Sequence, residues 1–255
     1  MYTSFNINKQ GMSATQQKVD LISNNIANST TVGYKKLDAE FQTMLTETLD
    51  RPSYPNNSKD AYFGTGTRLG TTFRTLTQGS LQVTNNVTDI ALDGDGYFRV
   101  QTKDGEYAYT RNGQFTIDAM GKLVDRNGNI LDIQFNDDLS YDNFNFINNK
   151  DFLIRDNGLI ELKGGQVIGM INIYKATGDN ALLSSNDNLF IPKEGQVMIK
   201  SGDVNLIQGC VEMSNVNLAD EMKDLIIMQR AFQLNGKGIK NADEMWSLIN
   251  NMQSR

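Results

Sequence analysis

Histidine is absent from this sequence, and cysteine occurs once. The first absence excludes Ser-His-Asp and Cys-His machinery together with every His-ligated zinc site. The second leaves Cys210 with no intrachain disulfide and no multi-Cys metal centre to join. With Val211 and Met213 beside it, Cys210 reads as a small packed thiol, not a nucleophile. Proline is scarce, at three residues, and Trp246 is the one tryptophan. No run of about 18 apolar residues exists, so no segment spans a bilayer as a helix. The first ten residues, MYTSFNINKQ, lack the basic and apolar regions of a cleavable signal peptide. The formal charge is −6, without the basic face that nucleic acid demands.

What is present suffices for a core. Of 255 residues, 39% are hydrophobic, enough for one large domain or two small ones. The two ends share a pattern. Phe5, Met12, Val19 and Ile26 recur every seven residues, with Ile22 three after Val19. Val211, Leu218, Leu225, Phe232, Ile239 and Trp246 do the same at the other end, and Met228, Ala242 and Ile249 fill intermediate positions. A seven-residue repeat makes a narrow helical seam suited to coiled-coil contact. Thr15, Glu221 and Asn235 interrupt the seams, and polar residues there cost stability while fixing register. Asn215 or Asn217 can cap the C-terminal helix, and Asp220 and Glu221 sit where the helix dipole favours acids. Gly236 and Gly238 inside it allow either a close approach by a neighbour or a kink.

From about Thr71 to Gln208 the chain changes character. Asp104-Gly105, Asn112-Gly113, Asn127-Gly128 and Asn157-Gly158 favour the positive φ of hairpin turns. Between and beyond them lie GYFRVQT, EYAYTR, QFTID, KLVD and VIGMINIYK, which read as strands of an all-β region. FTIDAMGKLVDRNG and FLIRDNGLIELKGG share a loose pattern that suggests either a weak repeat or simply two hairpins. Before this region, LDAEFQTMLTETL reads as a short helix, and RPSYPNNSKDAYFGTGTRLG as a long loop or extended arm. The expected organisation is α+β. Residues 1–36 form an N-terminal helix of a coiled-coil domain, 37–70 a connector or arm, 71–208 a β-rich domain, and 209–255 the C-terminal helix.

Chemistry-bearing motifs fail on inspection. Asp93-Gly94-Asp95-Gly96 departs from the calcium-loop pattern at Tyr97, Phe98 and Asp104 and reads as a tight turn. GTGTRLG, residues 64–70, is neither G-x-G-x-x-G nor a P-loop. No G-x-S-x-G elbow occurs, and no local arrangement singles out a carboxylate pair. The sequence therefore nominates no catalytic residue, cofactor or metal ligand, and points to assembly.

LISNNIANSTTVGYKK, residues 21–36, carries a more specific signal. It resembles the N-terminal signature of bacterial flagellar rod and hook proteins, matched by Asn24, Asn25, Ile26, Ala27, Asn28, Thr31, Gly33, Tyr34 and Lys35. GCVEMSNVNLADEMKDLIIMQRAFQLNGKGI resembles that family's end motif through Ser214, Asn215, Val216, Asn217, Glu221, Met222, Leu225, Ile226, Gln229, Arg230, Ala231 and Phe232. TQGSLQVTNNVTDIALDGDGYFRV and YTRNGQFTIDAMGKLV resemble its shared β segments. Within the family, the length excludes the longer hook subunits. GTGTRLGTTFRTLTQGSLQVTNN and QRAFQLNGKGIKNADEM look most like distal-rod members, although Gly236-Lys237-Gly238 departs from their pattern and leaves proximal-rod members as the alternative.

The resemblance implies a helical homopolymer, with the terminal helices paired around an axial channel and the β domain outside. It implies a drive shaft that carries motor torque to the hook and filament, in the basal body within the periplasm or cell wall. It also implies export, unfolded and without a cleaved signal, through the flagellar type III apparatus. The partners would be other copies and other rod and hook proteins, with no nucleic acid and no membrane insertion. Asn28 or Gly33 would end the first helix in a left-handed conformation. From a different class, an extracellular β-domain binding module dimerised by its helices, or a carboxylate hydrolase, would fit the composition. Neither requires an unpaired seam at each end.

Overall fold

The computed structural model describes residues 2–48, 62–136, 140–141, 144–146, 152–162, 164–178, 182–185, 188–202 and 204–253. The chain forms two compact units. One contains Met1–Ala27, Leu37–Phe73 and Asn217–Arg255, and the other Asn28–Lys36 and Arg74–Val216. The class is α+β, with the two terminal helices packed on each other in the first unit.

In the first unit, α1 (Tyr2–Ala27) and α2 (Leu218–Gln253) run antiparallel. Asn25 meets Glu221 at one end, and farther along Met12 faces Gly236 and Asn8 faces Gly238. Asn217 caps α2, since its Oδ1 accepts from Ala219 N at 3.1 Å. Asp220 and Glu221 occupy the first turn. The helix continues unbroken through both glycines. A Cβ at Gly238 would stand 2.6 Å from Asn8 Nδ2, so the missing side chain makes room for a polar neighbour.

Two expectations need correction. Val211 is not in the helical seam: it lies in a strand, with α2 beginning only at Leu218. The expected helix over 37–49 is not formed in its described part, residues 37–48. Leu37–Thr43 is β1 and Thr46–Thr48 is β2; β3 (Tyr62–Gly64) pairs with β2, and β4 (Thr67–Arg74) with β1. Extended pairing wins because the chain enters β1 already stretched. The Asn25 Oδ1 accepts from Leu37 N at 3.0 Å, and Asn25 Nδ2 donates to Leu37 O at 2.8 Å. Residues 49–61 of the expected connector lie outside the described residues; the described remainder is a narrow β ribbon.

The second unit carries the core. Its largest sheet joins β7 (Tyr97–Gln101), β8 (Tyr107–Thr110), β9 (Thr116–Ile117), β10 (Leu123–Val124), β11 (Ile130–Leu131), β16 (Ile173–Ala176), β17 (Leu182–Ser184), β18 (Leu189–Pro192) and β19 (Met198–Ser201). A four-stranded sheet orders β12 (Ile133–Phe135), β15 (Val167–Ile171), β14 (Leu159–Leu162) and β13 (Phe152–Ile154). Two further pairs are β20 (Asn205–Gln208) with β6 (Ile90–Asp93), and β21 (Cys210–Glu212) with β5 (Leu81–Val83). VIGMINIYK is therefore two strands, broken at Asn172 and divided between two sheets.

One turn geometry closes five hairpins. Thr102, Asp118, Asp125, Arg155 and Leu162 each donate their N–H to the carbonyl four residues on, and each accepts from the glycine three residues on. Those glycines all have φ between 79 and 86°. This is the three-residue loop ending in a left-handed glycine. Asn112-Gly113 is not such a turn. Gly113 has no positive φ; a Cβ there would lie 1.7 Å from Ile90 O, so glycine is needed for close backbone approach.

Strand alternation sorts the side chains. Phe98 and Val100 of β7 enter a core shared with Ile90, Phe115, Leu131, Phe146, Ile160, Ile168 and Leu206. Tyr97 points the other way, into a smaller cluster with Tyr109, Tyr174 and Phe190.

Candidate assembly interface

The expected seam residues on the helices fall into three environments. Ile22 is buried. Met12, Val19, Ile26, Leu225, Phe232, Ile239 and Trp246 are half-buried, and Phe5 and Leu218 are exposed. Thr15 sits buried in the seam and turns its hydroxyl back to Gly11 O and Met12 O, both at 2.9 Å. Its polarity is thus satisfied within α1.

A second apolar series on α2 has no counterpart in the expected seam. Ile227, Leu234 and Leu248 are 51%, 67% and 63% exposed. They recur at seven- and fourteen-residue spacing, two residues behind Leu225, Phe232 and Trp246. Two residues correspond to about 200° around the helix axis, so this series lies on the side opposite the seam. Ile226, Met245 and Ile249 flank it and are also exposed. Beside α1, a groove of about 310 Å³ is lined by Gln10, Ala14, Gln17, Met44, Arg68 and Leu69 among others.

The N-terminal motif divides between the units. Asn25 is buried and bonds Glu221 Oε2 at 3.2 Å; Asn24 and Ala27 are exposed, and Ile26 is half-buried. α1 ends at Ala27 without a left-handed Asn28, which instead accepts from Thr31 N at 3.2 Å and from Thr31 Oγ1 at 3.1 Å. Gly33, with φ +69°, lies beyond the helix end and bends the chain where its N–H donates to Glu212 O at 2.8 Å. Tyr34 and Lys35 are both buried. Arg74 stacks over the Tyr34 ring at 5.5 Å and over Phe190 at 5.2 Å. Lys35 Nζ reaches Glu212 Oε1 at 2.6 Å, and burial pushes its pKa down despite that partner.

The C-terminal motif does three jobs. Ser214 is buried, with its Oγ accepting from Val216 N at 3.3 Å, and Val216 itself is half-buried. Asn215 bridges Lys36 N, Thr75 O and Thr77 O. Asn217 caps α2 and Glu221 meets Asn25, whereas Met222, Gln229 and Arg230 face outward on α2. Ala231 and Phe232 are half-buried. Spacing and composition did not mark Glu212, Arg111 or Arg74, because single charged residues in strands look like any solvated position. Their burial is visible only once the fold is formed. Among the described residues, no group of three acidic or cysteine side chains is placed to hold a metal ion.

Two family models match this chain: one described as flagellar hook protein FlgE/F/G D1 domain over residues 91–230, and one as flagella basal body rod protein over residues 5–35. The chain belongs to the flagellar rod and hook family, and is a structural component of the basal-body rod, working by contact with other rod and hook proteins. Within that family it is similar to proteins named flagellar basal-body rod protein FlgG. The relative from Borreliella burgdorferi is 34% identical, covering 95% of this chain and 96% of its own. That from Buchnera aphidicola is 34% identical over 96% and 97%, and that from Bacillus subtilis 34% over 95% and 96%.

Proposed function

We propose that this chain is a distal-rod subunit that polymerises helically into a hollow shaft, its helices inward and its β unit outward. The observation that carries this reading is the second apolar series on α2. One face of that helix meets α1, and Ile227, Leu234 and Leu248 remain on the other. Such a patch on an isolated protein marks an interaction site. Contacts between unlike faces that do not close propagate into a filament. The β1–β4 ribbon, with Phe41, Met44 and Leu45 exposed, would reach a neighbouring copy. Delivery through the flagellar type III apparatus completes the reading, and the role is structural, not catalytic.

Leu234→Asp in the full chain tests it. The expected result is an unchanged unfolding midpoint, loss of filaments by electron microscopy at high protein concentration, and loss of motility. Filaments and motility equal to those of the parent would overturn the reading. A defined dimer from the parent chain at every concentration would favour the binding-module alternative.

A further inference from the structure

Lys35, Arg111 and Glu212 lie within the second unit, with side-chain exposures of 1%, 3% and 1%. Two cations share one buried carboxylate. Glu212 Oε1 accepts from Lys35 Nζ at 2.6 Å and from Gly79 N at 2.9 Å, and Oε2 accepts from Arg111 Nη1 at 3.1 Å. Its backbone carbonyl accepts from Gly33 N at 2.8 Å. Lys35 Nζ also donates to Thr77 O at 2.8 Å, and Arg74 Nη1 to Lys35 O at 2.8 Å.

The sequence positions of these partners give the cluster its meaning. The chain passes into or out of this unit four times, at the two ends of segment 28–36, just before Arg74, and just after Val216. Gly33 and Lys35 belong to the first segment, Thr77 and Gly79 to the second, and Glu212 to the third. Asn215 repeats the linkage at a smaller scale, tying Lys36 N to Thr75 O and Thr77 O. Arg111, immediately after β8, ties the arrangement to the large sheet.

A buried ion cluster contributes little net stability, because desolvation consumes most of its attraction. An apolar core would hold these strands at lower cost. Charge and directed hydrogen bonds instead fix one geometry, since an unmatched arrangement leaves a buried charge without its partner.

We propose that Glu212 is a positioning residue whose carboxylate clasps the three crossing segments, setting the path of the chain into and out of the β unit independently of that unit's apolar core. In a shaft built as proposed above, those covalent crossings carry force between the helices and the β unit. The clasp keeps them from peeling off the unit under load.

Hydrogen exchange on the full chain tests this, with Lys35→Met and Glu212→Gln variants. Lys35→Met leaves Arg111 and Glu212 as a neutral pair, so the unit keeps its core. The expected result is exchange roughly tenfold or more faster at residues 33–36, with Val100 and Leu131 unchanged. Glu212→Gln is expected to release residues 33–36, 77–80 and 211–213 together. Unchanged exchange at the crossings in Lys35→Met overturns the proposal. So does an equal rise at the crossings and in β7 and β11, which would make the cluster an ordinary part of one cooperative core. If Glu212→Gln does not fold, Lys35→Met decides alone. Swimming in viscous medium adds a functional readout: cells carrying Lys35→Met should slow more than the parent as viscosity rises, and equal slowing counts against the clasp.

Discussion

Asn25 of α1 donates to Glu221 of α2 at 3.2 Å, a buried contact between residues 196 positions apart. The same amide group holds both backbone polar groups of Leu37, where the ribbon begins. One side chain thus ties together three segments of the first unit. Asn25→Leu keeps the volume and removes every one of these bonds, leaving buried polar groups unmatched. The expected cost is about 1–3 kcal/mol per unmatched group. Trp246 lies on α2 and is the one tryptophan, so urea unfolding followed by its fluorescence reports on this unit. A midpoint equal to the parent's would show that Asn25 is replaceable.

Gly33 should tolerate no side chain. A Cβ would lie 2.6 Å from Asn112 N, and φ of +69° already costs a non-glycine residue about 1–2 kcal/mol. Gly33→Val is therefore expected to lower the melting temperature of the β unit and to abolish motility. Near-ultraviolet circular dichroism of the tyrosines and a swarming assay are the checks.

Core and surface aromatics should respond differently. Phe98 is fully buried and meets Phe115 edge-on, with ring centroids 5.5 Å apart. Phe98→Ala should cost about 3–5 kcal/mol. Tyr107 is 50% exposed, and the Arg99 guanidinium lies 4.6 Å from its ring centroid and 4.5 Å from that of Tyr174. Tyr107→Ala should cost about 1 kcal/mol or less. Denaturant titration of the two variants separates them.

Alkaline pH should unfold the β unit abruptly. Burial raises the pKa values of Tyr97, Tyr109, Tyr141 and Tyr174 above the ordinary tyrosine value. The folded form keeps these hydroxyls protonated after the unfolded form has released them. Their stabilisation is complete below about pH 10 and is lost as pH rises through the raised values. Lys35 acts in the opposite sense. Its pKa is lowered by burial, so the cost of its charge is present at lower pH and is relieved as pH approaches 10.5. Stability should hold or rise slightly up to about pH 10 and fall steeply beyond. Tyrosinate absorbance of the four should appear together with loss of sheet circular dichroism.

Periodicity made the helices readable because burial on one face forces a repeat, and Leu225, Phe232 and Trp246 obey it. The repeat misled at Val211, where a buried apolar residue of a strand falls seven before Leu218 by coincidence. Hairpin glycines were readable because φ near 80° excludes most other residues. Gly113 was not, since its close approach to Ile90 O depends on a strand from an earlier stretch of the chain. The segment at 37–49 misled because helix-forming residues such as Leu37, Ala39 and Glu40 are overridden by pairing with β4. The motif residues Asn25 and Lys35 were identifiable from the family resemblance, but Glu212 and Arg111 were not. A buried ion partner has no signature until its neighbours arrive from elsewhere in the chain.

The antiparallel pairing of α1 with α2 also has a consequence in time. A ribosome makes α1 long before α2. For nearly the whole of synthesis, the residues of α1 that face α2 lack that partner, although the ribbon beginning at Leu37 already meets α1 through Asn25. Closing that pair joins segments from opposite ends, and contacts of such long sequence separation form slowly. The β unit has all its strands by Glu212, before the first residue of α2 exists. Early and late halves of this protein are thus separated by the direction of translation itself.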